Sequence, residues 1–389
     1  MTTGMIRPDL PLSAVAAIAE RAAAAGWSDA IPMAGGEPRF ACPPGLLDAL
    51  HTAHPDSLTK YSPFKGTAEL LEAARRKLIE VNHLDVDPDE LIVVPGGAQA
   101  LFSALSILVH GQRRRVVITD PCWEHYPRIA VAAGAEVVRV PTTRDGAHDA
   151  IDLDKLDRLV DDTTAAVLLN TPLNPTGSVL RPDELDRIGE LCDARGARMV
   201  VDEEYETFVY GGNRHTTARA VRQSAISLFS LSKSFALTGI RIGYVTADAA
   251  TIDALKRFGL FTYMYSSSPA LVLATAALQT DLSGYLEGVR SEYEEKAANL
   301  AKALDAIPGV DCVLPEGGVY VFPRIAGADG KSYADRLLSE QHVLCVPGET
   351  AGAMGRGHVR FFIGLDHESA VTAAGRVRAM LDNAEHERR

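Results

Sequence analysis

From about residue 68 to residue 280, short runs made almost wholly of apolar residues alternate with longer stretches of helical period. The runs are Leu91-Ile92-Val93-Val94, Val116-Val117-Ile118, Ala165-Ala166-Val167-Leu168-Leu169, Met199-Val200-Val201 and Ala225-Ile226-Ser227-Leu228-Phe229. A run with no polar alternate suits a strand covered on both faces. Strands alternating with helices predict an α/β fold with a mostly parallel sheet. The large domain is expected over residues 46–285. The rhythm changes after it: a helical stretch over Ser291 to Ala306 leads to strand-like runs at Gly317 to Phe322 and His358 to Ile363, with helices between and after. Near the other end, Leu12 to Arg21 has the period of an amphipathic helix. A smaller α+β domain built from both chain ends, residues 1–45 and 286–389, is the expected partner of the large one. No repeat of solenoid period is visible.

Composition narrows the class without changing the architecture. With 389 residues, 47% hydrophobic and 23% charged, the chain is long enough to bury a core around a cleft and needs no staples. A formal net charge of -12 repels polyanions, so nucleic acid is not an expected partner. The basic run Arg113-Arg114-Arg115 reads as a loop turning into a strand. Five scattered cysteines form no metal-ligand or redox pattern, which points to reduced thiols, no metal and a cytoplasmic protein. No apolar run approaches the roughly 20 residues of a membrane span, so no membrane partner is expected either.

Ligands of parallel sheets gather at the carboxyl ends of the strands. After the first run come Pro95-Gly96-Gly97-Ala98-Gln99 and the start of a helix, whose free amides could hold a phosphate; a plain tight turn is the other reading. The third run is followed by Asn174-Pro175-Thr176-Gly177, where proline fixes the backbone and Asn174 is held out at the strand end. After the fourth stands Asp202, with Glu203-Glu204-Tyr205 behind it: a helix cap or a buried anion awaiting a cation. The last run delivers Ser230-Leu231-Ser232-Lys233 and then Arg241. Together these groups are what pyridoxal phosphate requires. Lys233 offers an amine for its aldehyde and a proton shuttle, Asp202 a partner for its pyridine nitrogen, and Asn174 and Tyr205 hydrogen bonds to its phenolate. Arg241, Ser230 and the Gly97 and Ala98 amides suit its phosphate, and Trp123 offers a face on which the ring can stack.

The segment Ser232-Lys233-Ser234-Phe235-Ala236-Leu237-Thr238-Gly239-Ile240-Arg241-Ile242-Gly243-Tyr244 closely resembles the lysine motif of the class I/II aminotransferases, fold type I pyridoxal-phosphate enzymes. Asn174-Pro175-Thr176-Gly177 and Asp202-Glu203-Glu204-Tyr205 resemble two further motifs of that family in the right order, and the likeness covers roughly residues 31–365. It implies a seven-stranded type of sheet between helices, a Schiff base at Lys233, and amino-group transfer between an amino acid and a 2-oxo acid. It also implies that Arg360 grips the substrate α-carboxylate with Asn174, that Gly36 closes over it, and that Gly97, Ala98 and Gln99 lie at the phosphate. Tyr61 matches a tyrosine that reaches the neighbouring subunit's phosphate, which implies a homodimer with composite sites. Two departures concern the substrate: Pro347-Gly348-Glu349-Thr350-Ala351-Gly352 differs from the common pattern, and Ala98 stands where aspartate-using relatives carry a lysine. The same cofactor groups would serve elimination or replacement, C–C bond formation or oxidation of an amino acid. A non-catalytic metabolite sensor is a more distant alternative.

Overall fold

The computed structural model describes residues 12–386 apart from Ala147 and Ala328. Its main sheet consists of β1 (Leu91–Val94), β2 (Arg115–Asp120), β3 (Glu136–Asp145), β4 (His148–Ile151), β5 (Thr164–Asn170), β6 (Arg198–Asp202), β7 (Ile226–Ser230) and β8 (Gly243–Thr246). In space the order is β1-β8-β7-β6-β5-β2-β3-β4. The pairs among β7, β6, β5, β2 and β3 are parallel, whereas β8 runs antiparallel to both of its neighbours. The eighth strand is β4, which folds back on the end of β3 as an antiparallel extension; its sequence, His148-Asp149-Ala150-Ile151, alternates and carries no apolar run.

Why the central runs lack polar alternates is plain from the packing. Ile92, Val94, Val116, Ile118, Leu168, Val200 and Leu228 face one layer with Leu101 and Leu105 of the helix Gly97–Leu108. Their neighbours Val117, Val167, Leu169, Met199 and Val201 face the opposite layer with Leu185 and Ile188 of the helix Pro182–Arg195. Side chains alternate in direction, and both directions are dry. A separate apolar core takes Ile31 and Met33 from one chain end and, from the other, the helices Ser283–Asp305, Gly330–Gln341 and His367–His386. The strands β9 (Tyr320–Val321), β10 (Val346–Pro347) and β11 (Val359–Phe362) form an antiparallel sheet in the order β9-β11-β10.

Three elements differ in extent from the expectation. The first helix, α1, is Ala14–Ala25: the Ser13 hydroxyl caps it by accepting from the Ala16 amide, and Gly26 ends it in the left-handed conformation. The long helix begins at Ser283 rather than Ser291, its first turns hidden in the sequence by Gly284 and Gly288. β9 is shorter than the run Gly317 to Phe322 because Gly317 lies hard against the Phe208 carbonyl, 2.4 Å from where a Cβ would stand. Arg115 opens β2 and pairs with Asp161, as a loop-to-strand reading requires. Among the described residues, no helix is long and apolar enough to cross a membrane.

Candidate active site

Asp202 closes β6 with its carboxyl 6% exposed. The Tyr126 hydroxyl donates to it at 2.8 Å and the Glu204 amide at 3.1 Å. Burial, and then the negative charge of Glu204, push its pKa up to about 7. Among the described residues no cation forms an ion pair with it, and the chain behind it runs into turns at 204–207 rather than a helix. At the end of β5, Asn170 donates to the Asp202 carbonyl at 2.8 Å and accepts the Asn174 amide at 2.8 Å. That pair of bonds pins the turn at 174–177 to the neighbouring strand.

Asn174 in turn accepts from Arg360 of β11 at 3.1 Å, and Arg360 also donates to the Ala34 carbonyl at 2.9 Å. The guanidinium is buried, lies 4.2 Å above the Tyr320 ring, and leaves its Nε without a hydrogen-bond acceptor. Among the described residues no carboxylate forms an ion pair with it. A buried cation without a counter-ion is a seat for an anion. The Lys233 ammonium donates to the Gly36 carbonyl at 2.9 Å. Tyr205 is buried, and burial followed by the influence of Tyr320 raises its pKa well above the ordinary value. It therefore remains a phenol and a hydrogen-bond donor throughout the working range of pH.

A third seat for negative charge lies at the start of the helix α2, Gly97–Leu108. Gly96 caps it with φ +85° and no side chain, so its first amides keep no partner from a capping residue. A Cβ on Gly96 would fall 2.7 Å from Nη2 of Arg241, so the glycine is what lets the guanidinium reach this turn. A Cβ on Gly97 would stand 3.9 Å from that of Ser230, whose hydroxyl accepts the Ser232 amide at 3.1 Å. Gln99 contributes its backbone alone here, since its side chain donates along the helix to Ser103 at 3.1 Å.

Trp123 stacks on His125, ring centroids 4.5 Å apart. The segment bearing it is bonded on both sides to other parts of the chain. Glu124 accepts the Ala14 amide at the start of α1 at 3.1 Å. Asp120 accepts the Ala353 and Met354 amides at 3.1 Å, and the Ala351 carbonyl accepts from Cys122 and Arg139. Thus the unusual stretch 347–352 is docked beside Trp123, with Glu349 tying it down by accepting the Gly330 and Gly357 amides. Ala98 is exposed. Tyr61 stands apart from this constellation, 81% exposed and stacked on Tyr265 at 4.6 Å.

Four contributors have no place in the sequence reading: Tyr126, Tyr320, Asp120 and Arg139. Tyr126 had a usable signal, being three residues beyond Trp123 on the next helical turn. Tyr320 had no such signal; only the fold brings its hydroxyl to 2.0 Å from where a Cβ on Gly36 would stand.

The pattern of the family described as aminotransferase class I and II matches residues 28–377. An aspartate aminotransferase of Pyrococcus abyssi is 31% identical over 92% of this chain and 93% of its own length. An aromatic-amino-acid aminotransferase 2 of Thermococcus litoralis is 30% identical over 92% and 93%. The structure of the Thermus thermophilus aspartate aminotransferase with maleate superposes with a TM-score of 0.88 at 30% identity, covering 95% of this chain and 97% of that one. The chain belongs to the class I and II aminotransferases, enzymes that move an amino group between an amino acid and a 2-oxo acid.

Proposed function

We propose that this chain works with pyridoxal 5'-phosphate bound at Lys233 and transfers the amino group of a neutral or aromatic amino acid in preference to aspartate. The observation that carries the reading is a pair of unbalanced charges among the described residues: a buried acid at Asp202 without a cation and a buried guanidinium at Arg360, bonded to Asn174, without an anion. The pyridine nitrogen fits the first and the substrate carboxylate the second. The donor-rich turn at Gly97, with Arg241 and Ser230, fits the phosphate.

When bound, the cofactor supplies an aldehyde to take up the amino group and a ring to accept the electrons released at Cα. The protein does the rest. Asp202 keeps a proton on the ring nitrogen, and Tyr205 and Asn174 hydrogen-bond the phenolate oxygen. Trp123 covers one face of the ring. Arg360 would fix the α-carboxylate, so that Nζ of Lys233, once freed, could take the Cα proton and deliver it to the cofactor's aldehyde carbon across the amino nitrogen. While it is free of the cofactor, that amine is held by the Gly36 carbonyl.

The preference against aspartate rests on Ala98 and on the absence of a spare cation among these groups: a second carboxylate in the cleft would need its own partner. Tyr61, exposed beside Val272, suggests a second copy of the chain that completes each phosphate site. The separate apolar core supports division into a large domain over 46–285 and a small one from both ends. Five free cysteines agree with a cytoplasmic location.

Borohydride reduction followed by peptide mapping tests the site, and should place the cofactor on Lys233; attachment at another lysine would overturn the assignment. A single amino acid added without acceptor should convert bound cofactor stoichiometrically to its amine form. Continuous turnover under those conditions would favour elimination, replacement or oxidation in the same site.

A further inference from the structure

Tyr320 sits where three functional groups meet. Its ring supports the Arg360 guanidinium, 4.2 Å from the ring centroid. Its ring stands edge-on to that of Tyr205, 6.3 Å between centroids. Its hydroxyl oxygen fills the space above Gly36, whose carbonyl receives the Lys233 ammonium. Tyr320 is itself buried, and it pairs with Phe362 on β11, the strand that carries Arg360. A ring needed only for packing would not require a hydroxyl at this junction, because phenylalanine would fill the same volume with no polar atom to satisfy.

We propose, on the reading of the site given above, that Tyr320 is a positioning residue linking the grip of Arg360 on the substrate carboxylate to the hydrogen bond that Tyr205 gives the cofactor's phenolate oxygen. Each hydroxyl has one proton to give. With the cofactor in place, Tyr320 donates to the Tyr205 oxygen and Tyr205 donates to the phenolate, so the first bond strengthens the second. At its other end the flat ring holds the guanidinium by cation–π attraction. A carboxylate that draws Arg360 toward itself therefore acts on the ring that orients Tyr205.

Two variants separate the two ends of this link. Y320F keeps the ring and removes the hydroxyl. The absorbance of the lysine-bound cofactor titrates as its nitrogen loses a proton, and a weaker donor on the phenolate destabilises the deprotonated form. The titration midpoint should therefore rise by about half to one unit, a roughly three- to ten-fold change in proton affinity, while KM for the amino acid stays within about two-fold. Y320L removes the ring as well, so it should show the same rise together with a KM increased about ten-fold. In a Y205F background Y320F should have no further effect on the midpoint. A Y320F midpoint equal to that of the wild type, or shifts that simply add in the double variant, would overturn the proposal. If Y320F is not recovered as folded holoenzyme, the Y320L titration decides in its place. Wild-type protein without a borohydride-reducible bond at Lys233 would mean that the cofactor reading had failed, a result distinct from a normal wild type with an unresponsive Y320F.

Discussion

Asp202 and Glu206 lie in one stretch of chain behind the same strand, both withdrawn from water, with their charges balanced in opposite ways. Around Glu206 the Lys77 ammonium forms an ion pair, Asn82 donates at 2.8 Å, and His215 lies near. Burial works to raise its pKa, but the charges of Lys77 and His215 and these hydrogen bonds outweigh it and leave the value lowered. Around Asp202 there is a phenol and an amide but no cation, and burial wins. A buried charge with a full complement of partners holds a fold together, whereas one left incomplete is disposed toward something not yet bound. Depth alone distinguishes nothing here; the presence or absence of a counter-ion does.

The strongest way to break this comparison is to remove the amine proposed to carry the cofactor. Lys233→Ala should leave the fold intact and lower the transamination rate by about four orders of magnitude, measured in single-turnover kinetics. Asp202→Asn should bind cofactor yet react roughly 100-fold more slowly, about 2.7 kcal/mol of transition-state stabilisation; near-normal turnover would reduce Asp202 to a structural role. The same variant sharpens the comparison without cofactor. The folded carboxyl holds its proton up to about 7, against an ordinary 3.8 when unfolded, so between those values the folded apoprotein binds more protons. Its stability should decline as pH rises through that window, and thermal melts of the asparagine variant should lack this decline.

On the substrate side, aspartate should have a kcat/KM about ten-fold below neutral or aromatic donors, and Ala98→Lys should narrow that gap. A kcat/KM for aspartate above all the others would show that another cation completes the site. Glu206→Gln should change the rate per folded molecule by less than about two-fold while lowering stability by about 2 kcal/mol in urea titration, since it leaves Lys77 without its counter-ion. A large rate effect there would erase the distinction between the two acids.

Legibility in the sequence followed the same division. Lys233, Asp202 and Asn174 could be read because each stands directly behind an apolar run, and a strand buried on both faces can be recognised without its partners. The helix boundaries at Ser13 and Ser283 were less clear, as one depends on a capping hydroxyl and the other on tertiary contacts that override two glycines. Tyr320 and Arg139 could not be read at all. Neither follows a strand in the large sheet's pattern, and what makes each important is a neighbour far away in the chain: Arg360 and Tyr205 for the one, Ala351 for the other. Glu349 looked like a change in the substrate entrance, yet its Oε1 is taken up by two backbone amides, so it shapes the loop rather than facing the cleft as a free charge.

The segment 120–124, which carries Trp123, receives α1 on one side and the 351–354 loop on the other. The chain has one other tryptophan, Trp27, stacked on His342 at 4.4 Å away from that junction. The protein thus carries its own optical gauge. Displacement of the 351–354 loop alters the surroundings of Trp123, whereas Trp27 packs with α1 itself, so a Trp27→Phe variant would report movement at this junction through a single native fluorophore, with no label attached.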